Sequence, residues 1–433
     1  MSTQQQFLRN VVATYGTQLV LLPLSLTGTA MQARLVGPTG RGQVSLLLAT
    51  VGISSLVLGL GLNSSIGFHL AAKKTSIAAL KRSLPAFWLG IFAAFSALLV
   101  AFFLAGGERR LIGTLPTRGG TTALIVLFTL SLAGGWITAI LTSHRQFGAV
   151  NRAALAAGVL QPAAYGTMLA FQVRAAGGIP MEAVLTTMVF VEVTRTVLLF
   201  VAVSRIREEA PVQSTPLMGM LRYSLFAYAC DVVQFLTYRA DVWIIQATRG
   251  DEELGRYGLA VSLAELALLA AASFATVLFP YVPTLSPAEA AKTTARVGVL
   301  TLGTTAVIAV LGLGLAVPLV PLLFSSAFEA SVPLLGVLLI GVVPMSLSKI
   351  MGNYFAATGQ LGVSLTAALA GMVTCLTGDL LLIPRYGALA AAGCTSVAYW
   401  VFTLVMLGFF FRRSPLSPQE LLTAVREGRG RHA

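Results

Sequence analysis

Val11-Val-Ala-Thr-Tyr-Gly-Thr-Gln-Leu-Val-Leu-Leu-Pro-Leu-Ser-Leu-Thr-Gly-Thr-Ala-Met-Gln-Ala33 holds no charged side chain. Coiled as an α-helix it rises about 34 Å, enough to cross a hydrocarbon core of roughly 30 Å. Only Arg9 precedes it as a cation, and it lacks the short apolar core and small-residue cleavage site of a secretory signal, so it reads as a retained first transmembrane helix. Runs of the same kind recur as far as Phe411, separated by short polar pieces. With 56% hydrophobic and 10% charged residues over 433 positions, and a mean hydropathy of +0.83, the chain has lipid as its solvent. No stretch remains for a separate soluble domain.

The net charge of +13 would suit nucleic acid if the cations shared a soluble face. They sit instead in the loops between apolar runs, where anionic lipid headgroups are their natural counterpart, so nucleic acid is not expected as a partner. Cys230, Cys375 and Cys394 fall inside apolar runs and read as small hydrophobes. His69, His144 and His432 are scattered without ligand spacing. Neither a metal site nor a resident cofactor is expected.

The apolar runs predict an all-α membrane protein of about twelve transmembrane helices. Six lie near 9–33, 42–69, 84–105, 121–143, 153–173 and 181–205, and six near 219–246, 254–281, 297–324, 332–357, 360–383 and 387–411. This gives an N-terminal lobe over 1–210, a C-terminal lobe over 211–411 and a tail over 412–433. Sixteen loop and tail cations, from Arg9 to Arg431, fall on one side of the spans and nine, including Arg34, Arg109, Arg110 and Arg385, on the other. The positive-inside rule then puts both termini in the cytoplasm.

An internal repeat appears at an offset of about 214 residues. Gln146-Phe-Gly-Ala-Val-Asn-Arg-Ala-Ala-Leu-Ala156 aligns with Gln360-Leu-Gly-Val-Ser-Leu-Thr-Ala-Ala-Leu-Ala370, and Gly40-Arg41 falls on Gly255-Arg256 at nearly the same spacing. Six spans per repeat is an even number, so the lobes are expected to share one topology about a pseudo-two-fold axis along the membrane normal, with a cavity between them.

Arg34-Leu-Val-Gly-Pro-Thr-Gly-Arg-Gly-Gln43, followed by an apolar helix that closes on Gly61-Leu-Asn-Ser-Ser-Ile-Gly67, resembles the start of the polysaccharide flippases of the multidrug/oligosaccharidyl-lipid/polysaccharide exporter superfamily. Tyr238-Arg-Ala-Asp241, Gly255-Arg-Tyr-Gly-Leu-Ala-Val-Ser-Leu-Ala-Glu265 and Leu381-Leu-Ile-Pro-Arg-Tyr-Gly387 are similar to the same group, so the resemblance runs over nearly the whole chain. It implies two six-helix lobes in a bacterial inner membrane that alternate access. They would carry an undecaprenyl-pyrophosphate-linked oligosaccharide from the cytoplasmic to the outer leaflet, with membrane lipids, and a polymerase and glycosyltransferases, as partners. The chain past Phe411 is too short for the extra helices of the lipid II flippase branch, which counts against a peptidoglycan precursor as cargo.

Ionisable side chains near a bilayer centre cost at least about 2.5 kcal/mol and normally face a bundle interior or a wet cavity, so they are the candidate site. Glu192 and Arg195 lie three apart on the sixth span and can pair. Asp231, Arg239 and Asp241 lie on the seventh span, whose Arg222 snorkels towards the interface. Glu265, Lys349 and Asp379 lie on the eighth, tenth and eleventh. A pyrophosphate leaving water needs fixed cations, which assigns Arg195, Arg239 and Lys349 to cargo. Glu192, Asp231, Asp241, Glu265 and Asp379 are assigned to balancing those cations or taking up a coupling proton or sodium ion.

Asn63, Ser64 and Ser65 interrupt the second span and are expected to stitch helices together. Pro23, Pro162, Pro280, Pro318, Pro321 and Pro344 are expected to kink theirs. Ser417-Pro-Gln-Glu420 has capping-box spacing before Leu421, Leu422 and Val425 and predicts a short amphipathic helix on the cytoplasmic surface. Two other classes remain open. A cation-coupled drug antiporter of the same superfamily would favour uncompensated carboxylates. A polyprenol-dependent glycosyltransferase or polymerase would place its chemistry on sizeable loops, and the longest here hold only Glu108 as an acid and no histidine.

Overall fold

The computed structural model describes residues 3–71, 74–175, 180–206, 217–278, 282, 285–415 and 420, without side chains at 3–12, 15, 71, 173–175, 217, 222–224, 226, 227, 230, 276, 277 and 361. The Arg222 and Cys230 side chains, Pro280 and the tail helix expected from Ser417 onward therefore lie outside the described residues. In chain order the helices are α1 (Thr3–Gly59), α2 (Leu62–Ala71), α3 (Ile77–Leu104), α4 (Glu108–Ile112), α5 (Thr117–Ser143), α6 (Phe147–Ala175) and α7 (Met181–Ser204). They continue as α8 (Leu217–Arg249), α9 (Asp251–Leu278), α10 (Pro287–Phe324), α11 (Ser331–Ala357), α12 (Leu361–Tyr386) and α13 (Ala388–Arg413), with no strand among the described residues. Ten described segments are long and apolar enough to span a bilayer. The first of them bends at Gly37 into two spans, and α8, whose charges lower its hydropathy, brings the long helices to twelve.

The first two spans are not joined by the loop expected at 34–41. Gly37 takes φ 65°, ψ −173°, a conformation open to glycine, and Pro38 supplies the preset φ of a helix start, so one residue reverses the chain. A buried polar chain braces this bend: Arg41 Nη1 donates to Gln32 Oε1 at 2.7 Å, and Gln32 Nε2 donates to the Tyr165 hydroxyl at 3.0 Å. The span expected at 42–69 is itself divided, by Leu60 (φ 50°) and Gly61 (φ 65°), into the end of α1 and the separate α2. Pro23, Pro162, Pro318, Pro321 and Pro344 sit inside helices, and the only non-helical backbone recorded within a described helix is at Gly37.

Two helices begin earlier than hydropathy predicts because a serine caps each of them ahead of the apolar run. Ser76 Oγ accepts the Ala79 N–H and starts α3 at Ile77. Ser286 and Glu289 close a reciprocal capping box around Pro287 and start α10 ten residues before its apolar run, making it 38 residues long.

The chain forms two compact units, Met1–Val232 and Val233–Ala433, whose boundary falls inside α8. The boundary expected at 210 lies among residues not described. The first unit is packed around Leu47, Leu124, Leu141 and the stacked pair Phe95–Phe128, with ring centroids 4.0 Å apart. The second is packed around Ile350, Phe355, Met406 and the edge-on pair Tyr354–Phe410. Polar groups stitch it: Ser348 Oγ donates to Thr403 Oγ1 at 2.8 Å, and Ser396 Oγ donates to the Val337 carbonyl at 2.6 Å.

The repeat is visible in the backbone. At the α5–α6 turn the N–H groups of His144, Arg145 and Gln146 bond the carbonyls of Ile140, Thr142 and Leu141. At the α11–α12 turn those of Thr358, Gly359 and Gln360 bond Tyr354, Ala356 and Phe355, which are the same positions 214 residues on. Arg145 (φ 58°) and Gly359 (φ 74°) both take the left-handed conformation that such a helix ending requires.

Candidate functional site

In the first unit, Glu192 and Arg195 project from one face of α7. Both Nε (3.1 Å) and Nη2 (3.0 Å) of the guanidinium point at Glu192 Oε1, and the side chains are 24% and 33% exposed. Gly134 of α5 lets the pair approach: a methyl group there would meet Arg195 Nη2 at 3.1 Å and Thr196 Oγ1 at 3.6 Å. Asp231 is exposed on α8 and has no hydrogen bond or ion pair among the described residues.

In the second unit, Arg239 of α8 pairs with Glu265 of α9 at 2.8 Å, 35% and 51% exposed. Lys349, half-buried on α11, feels the charge of the same Glu265. Two further carboxylates are fully enclosed. Asp241 of α8 accepts a hydrogen bond from the Tyr257 hydroxyl through Oδ2, and that hydroxyl lies 3.4 Å from Thr395 Oγ1 of α13. Asp379 of α12 accepts from Cys375 Sγ at 3.4 Å, one turn earlier on the same helix. Among the described residues the Oδ1 atoms of both aspartates are buried without a hydrogen-bond partner. Asp241 and Asp379 act on each other electrostatically and Asp241 also feels the charge of Arg239, but among the described residues no cation lies in hydrogen-bond contact with either.

The structure therefore sorts the candidate residues into three groups. Glu192 and Arg195 form one self-contained pair. Arg239, Glu265 and Lys349 form a second group, and Asp241 with Asp379 a third, in which only neutral donors face the acids. Cys375 does more than fill space, since its thiol serves Asp379; spacing of i and i+4 on one helix is the signal that would have shown it. Tyr257 and Thr395 come from other helices and leave no mark in local sequence.

The fold is that of the MOP transporter superfamily. An inward-facing multidrug resistance MATE family transporter of that superfamily matches with TM-score 0.64 at 15% identity, over 92% of this chain and 95% of that one. The lipid II flippase MurJ, in an inward closed conformation, matches with TM-score 0.66 at 15% identity, over 96% and 90%. A MOP superfamily transporter from Pyrococcus furiosus matches with TM-score 0.58 at 12% identity, over 94% and 95%. No curated protein sequence matches the chain. Residues 31–333 match the sequence profile of the family described as polysaccharide biosynthesis protein, and the chain belongs to that family.

Proposed function

We propose that this protein is an alternating-access flippase that moves an undecaprenyl-pyrophosphate-linked oligosaccharide from the cytoplasmic to the outer leaflet of a bacterial inner membrane. Membership of a polysaccharide biosynthesis family supports the glycan, and a fold shared with a lipid II flippase supports a lipid-linked form of it. The observation that carries the reading is the placing of Arg195, Arg239 and Lys349 within long helices, Arg195 and Arg239 each paired with a carboxylate and Lys349 within the electrostatic reach of Glu265, so that a pyrophosphate can displace an acid instead of meeting bare hydrocarbon. In this reading both termini are cytoplasmic, and the polymerase and glycosyltransferases of the same glycan are partners.

Asp241 and Asp379 are the coupling-ion site in this reading. Their unpartnered Oδ1 atoms call for a cation, a proton or a sodium ion, whose uptake removes the cost of two enclosed acids. The same uncompensated carboxylates are what a cation-coupled drug antiporter would use, so the two readings divide on cargo. Covalent chemistry is assigned to no residue: α8 and α9 are joined through Gly250 alone and α12 and α13 through Gly387 alone, which leaves no loop for an enzyme site there.

A clean deletion strain without a redundant flippase tests the reading. It is expected to accumulate lipid-linked glycan on the cytoplasmic leaflet while synthesis continues. Normal surface glycan overturns it, and new sensitivity to cationic drugs with intact glycan favours the antiporter.

A further inference from the structure

We infer that α2, α5 and α7 of the first unit form a phosphate-binding subsite, in which Asn63 and Arg195, gathered over Gly134 and Gly135, take the phosphate of a lipid-linked cargo. The inference rests on the flippase reading for its cargo and on the geometry for its place.

The second span stops at Leu60 and restarts at Leu62 as α2. Leucine seldom adopts positive φ, and irregular backbone at membrane depth persists only where protein buries it or a wet cavity adjoins it. Of the polar residues that follow, Ser65 is used structurally: its hydroxyl donates to the Met220 carbonyl at 2.7 Å. Asn63 and Ser64 are exposed. Asn63 lies in the first turn of α2, where the Ser64 and Ser65 N–H groups already bond the Gly61 carbonyl, so its side-chain amide is the group this turn offers a ligand.

Adjacent glycines on α5 each make room for one of these groups. A methyl group at Gly135 would meet the Asn63 amide at 3.1 Å, as one at Gly134 would meet Arg195 Nη2 at 3.1 Å. Gly134 and Arg195 each lie nine residues from the ends of their helices at Ser143 and Ser204, and Asn63 eight from Ala71. All three spans run in the same direction, so the groups share one depth, in the half that the loop cations assign to the cytoplasm. Glu192 Oε1 engages two of the five guanidinium donors and leaves the others for a ligand. Thr196 Oγ1, in a residue only 9% exposed, is buried beside Gly134 without a partner among the described residues. A phosphate reaching Arg195 from the cytoplasmic leaflet would meet a guanidinium fork, an amide and a hydroxyl. These are the donors that an oxyanion exchanges for water.

The test is binding of undecaprenyl pyrophosphate, without sugar, to the purified full-length protein in detergent. Arg195→Gln is expected to weaken it about tenfold or more, the scale of a lost charge-assisted contact. Asn63→Ala and Gly135→Ala are each expected to weaken it about fivefold, the scale of one hydrogen bond. Leu198→Ala, an exposed apolar change on α7, is expected to leave it unchanged. Inorganic pyrophosphate should compete with the lipid for the wild type, showing that the phosphate is read and not the polyprenyl chain; failure to compete overturns the inference. Should Arg195→Gln fail to fold, Asn63→Ala decides, because that side chain is exposed. Wild-type affinity in a folded Asn63→Ala overturns the subsite and leaves the transport reading standing. Normal surface glycan in the deletion strain does the reverse.

Discussion

Glu192 and Arg195 stand three residues apart on one helix and neutralise each other, whereas Asp241 and Asp379 come from α8 and α12, take hydrogen bonds from neutral donors such as the Tyr257 hydroxyl and the Cys375 thiol, and have no ion pair among the described residues. The first arrangement is electrically closed and half open to solvent. The second is electrically open and fully enclosed. A closed pair can admit an anion by opening, since the guanidinium then exchanges one oxyanion for another. Two enclosed acids facing neutral donors would do the opposite and suit a cation. The contrast is between one closed pair in the first unit and two enclosed acids in the second, which also holds Arg239, Glu265 and Lys349.

The largest effect that can break this contrast comes from the aspartates. Asp241→Asn and Asp379→Asn keep size and polarity but delete charge, so each is expected to lower transport at least about tenfold and remove its dependence on the cation gradient. Binding of undecaprenyl pyrophosphate should stay near wild type. Wild-type flux in the double variant would end the assignment of a coupling site to the second unit.

Next comes a pair of glycine substitutions. A methyl group at Gly341 meets the Cα of Ser396, whose backbone cannot retreat, so Gly341→Ala is expected to cost about 1–3 kcal/mol. At Gly135 the obstacle is the tip of the exposed Asn63 side chain, so Gly135→Ala should melt close to wild type while binding weakens. Equal melting temperatures for the two variants would contradict a close α11–α13 contact.

A smaller effect is expected from Arg239 and Glu265. With 35% and 51% exposure, a double-mutant cycle for stability should return no more than about 1 kcal/mol of coupling. A value above about 2 kcal/mol would place this pair in a dry interior instead.

The smallest change expected is Leu60→Gly, which relieves a positive φ and should raise stability by no more than about 1 kcal/mol. Loosening the break in the second span should at the same time weaken phosphate binding. A gain in stability with no loss of binding would separate the strain from the site.

Much of this was legible because lipid imposes a simple code. Twelve long helices, their order and the repeat follow from apolar length and two aligned segments, and the Glu192–Arg195 pair follows from helical spacing alone. Helix starts were legible too, but in another signal: Ser286-Pro-Ala-Glu289 announces α10 ten residues before hydropathy does. The break at Leu60 was not readable, because nothing about leucine foretells a left-handed backbone. Tyr257 and Thr395 were equally hidden, since Tyr257 reaches Asp241 from α9 and Thr395 reaches the Tyr257 hydroxyl from α13, and such meetings are decided by packing rather than by spacing.

The polar opening of α10 bears on bilayer thickness. Its 38 residues make a rod of about 57 Å, nearly twice the hydrocarbon depth. The surplus is concentrated in the capped stretch that carries Glu289, Lys292 and Arg296. A thicker or thinner membrane can then be met by sliding charged turns into or out of the headgroup layer, or by tilting, at a cost of fractions of a kcal/mol per Å. Mismatch is absorbed at a water-facing end while the buried length of the helix keeps its neighbours, so acyl-chain length should alter the tilt of α10 before it disturbs the packing of α11 against it.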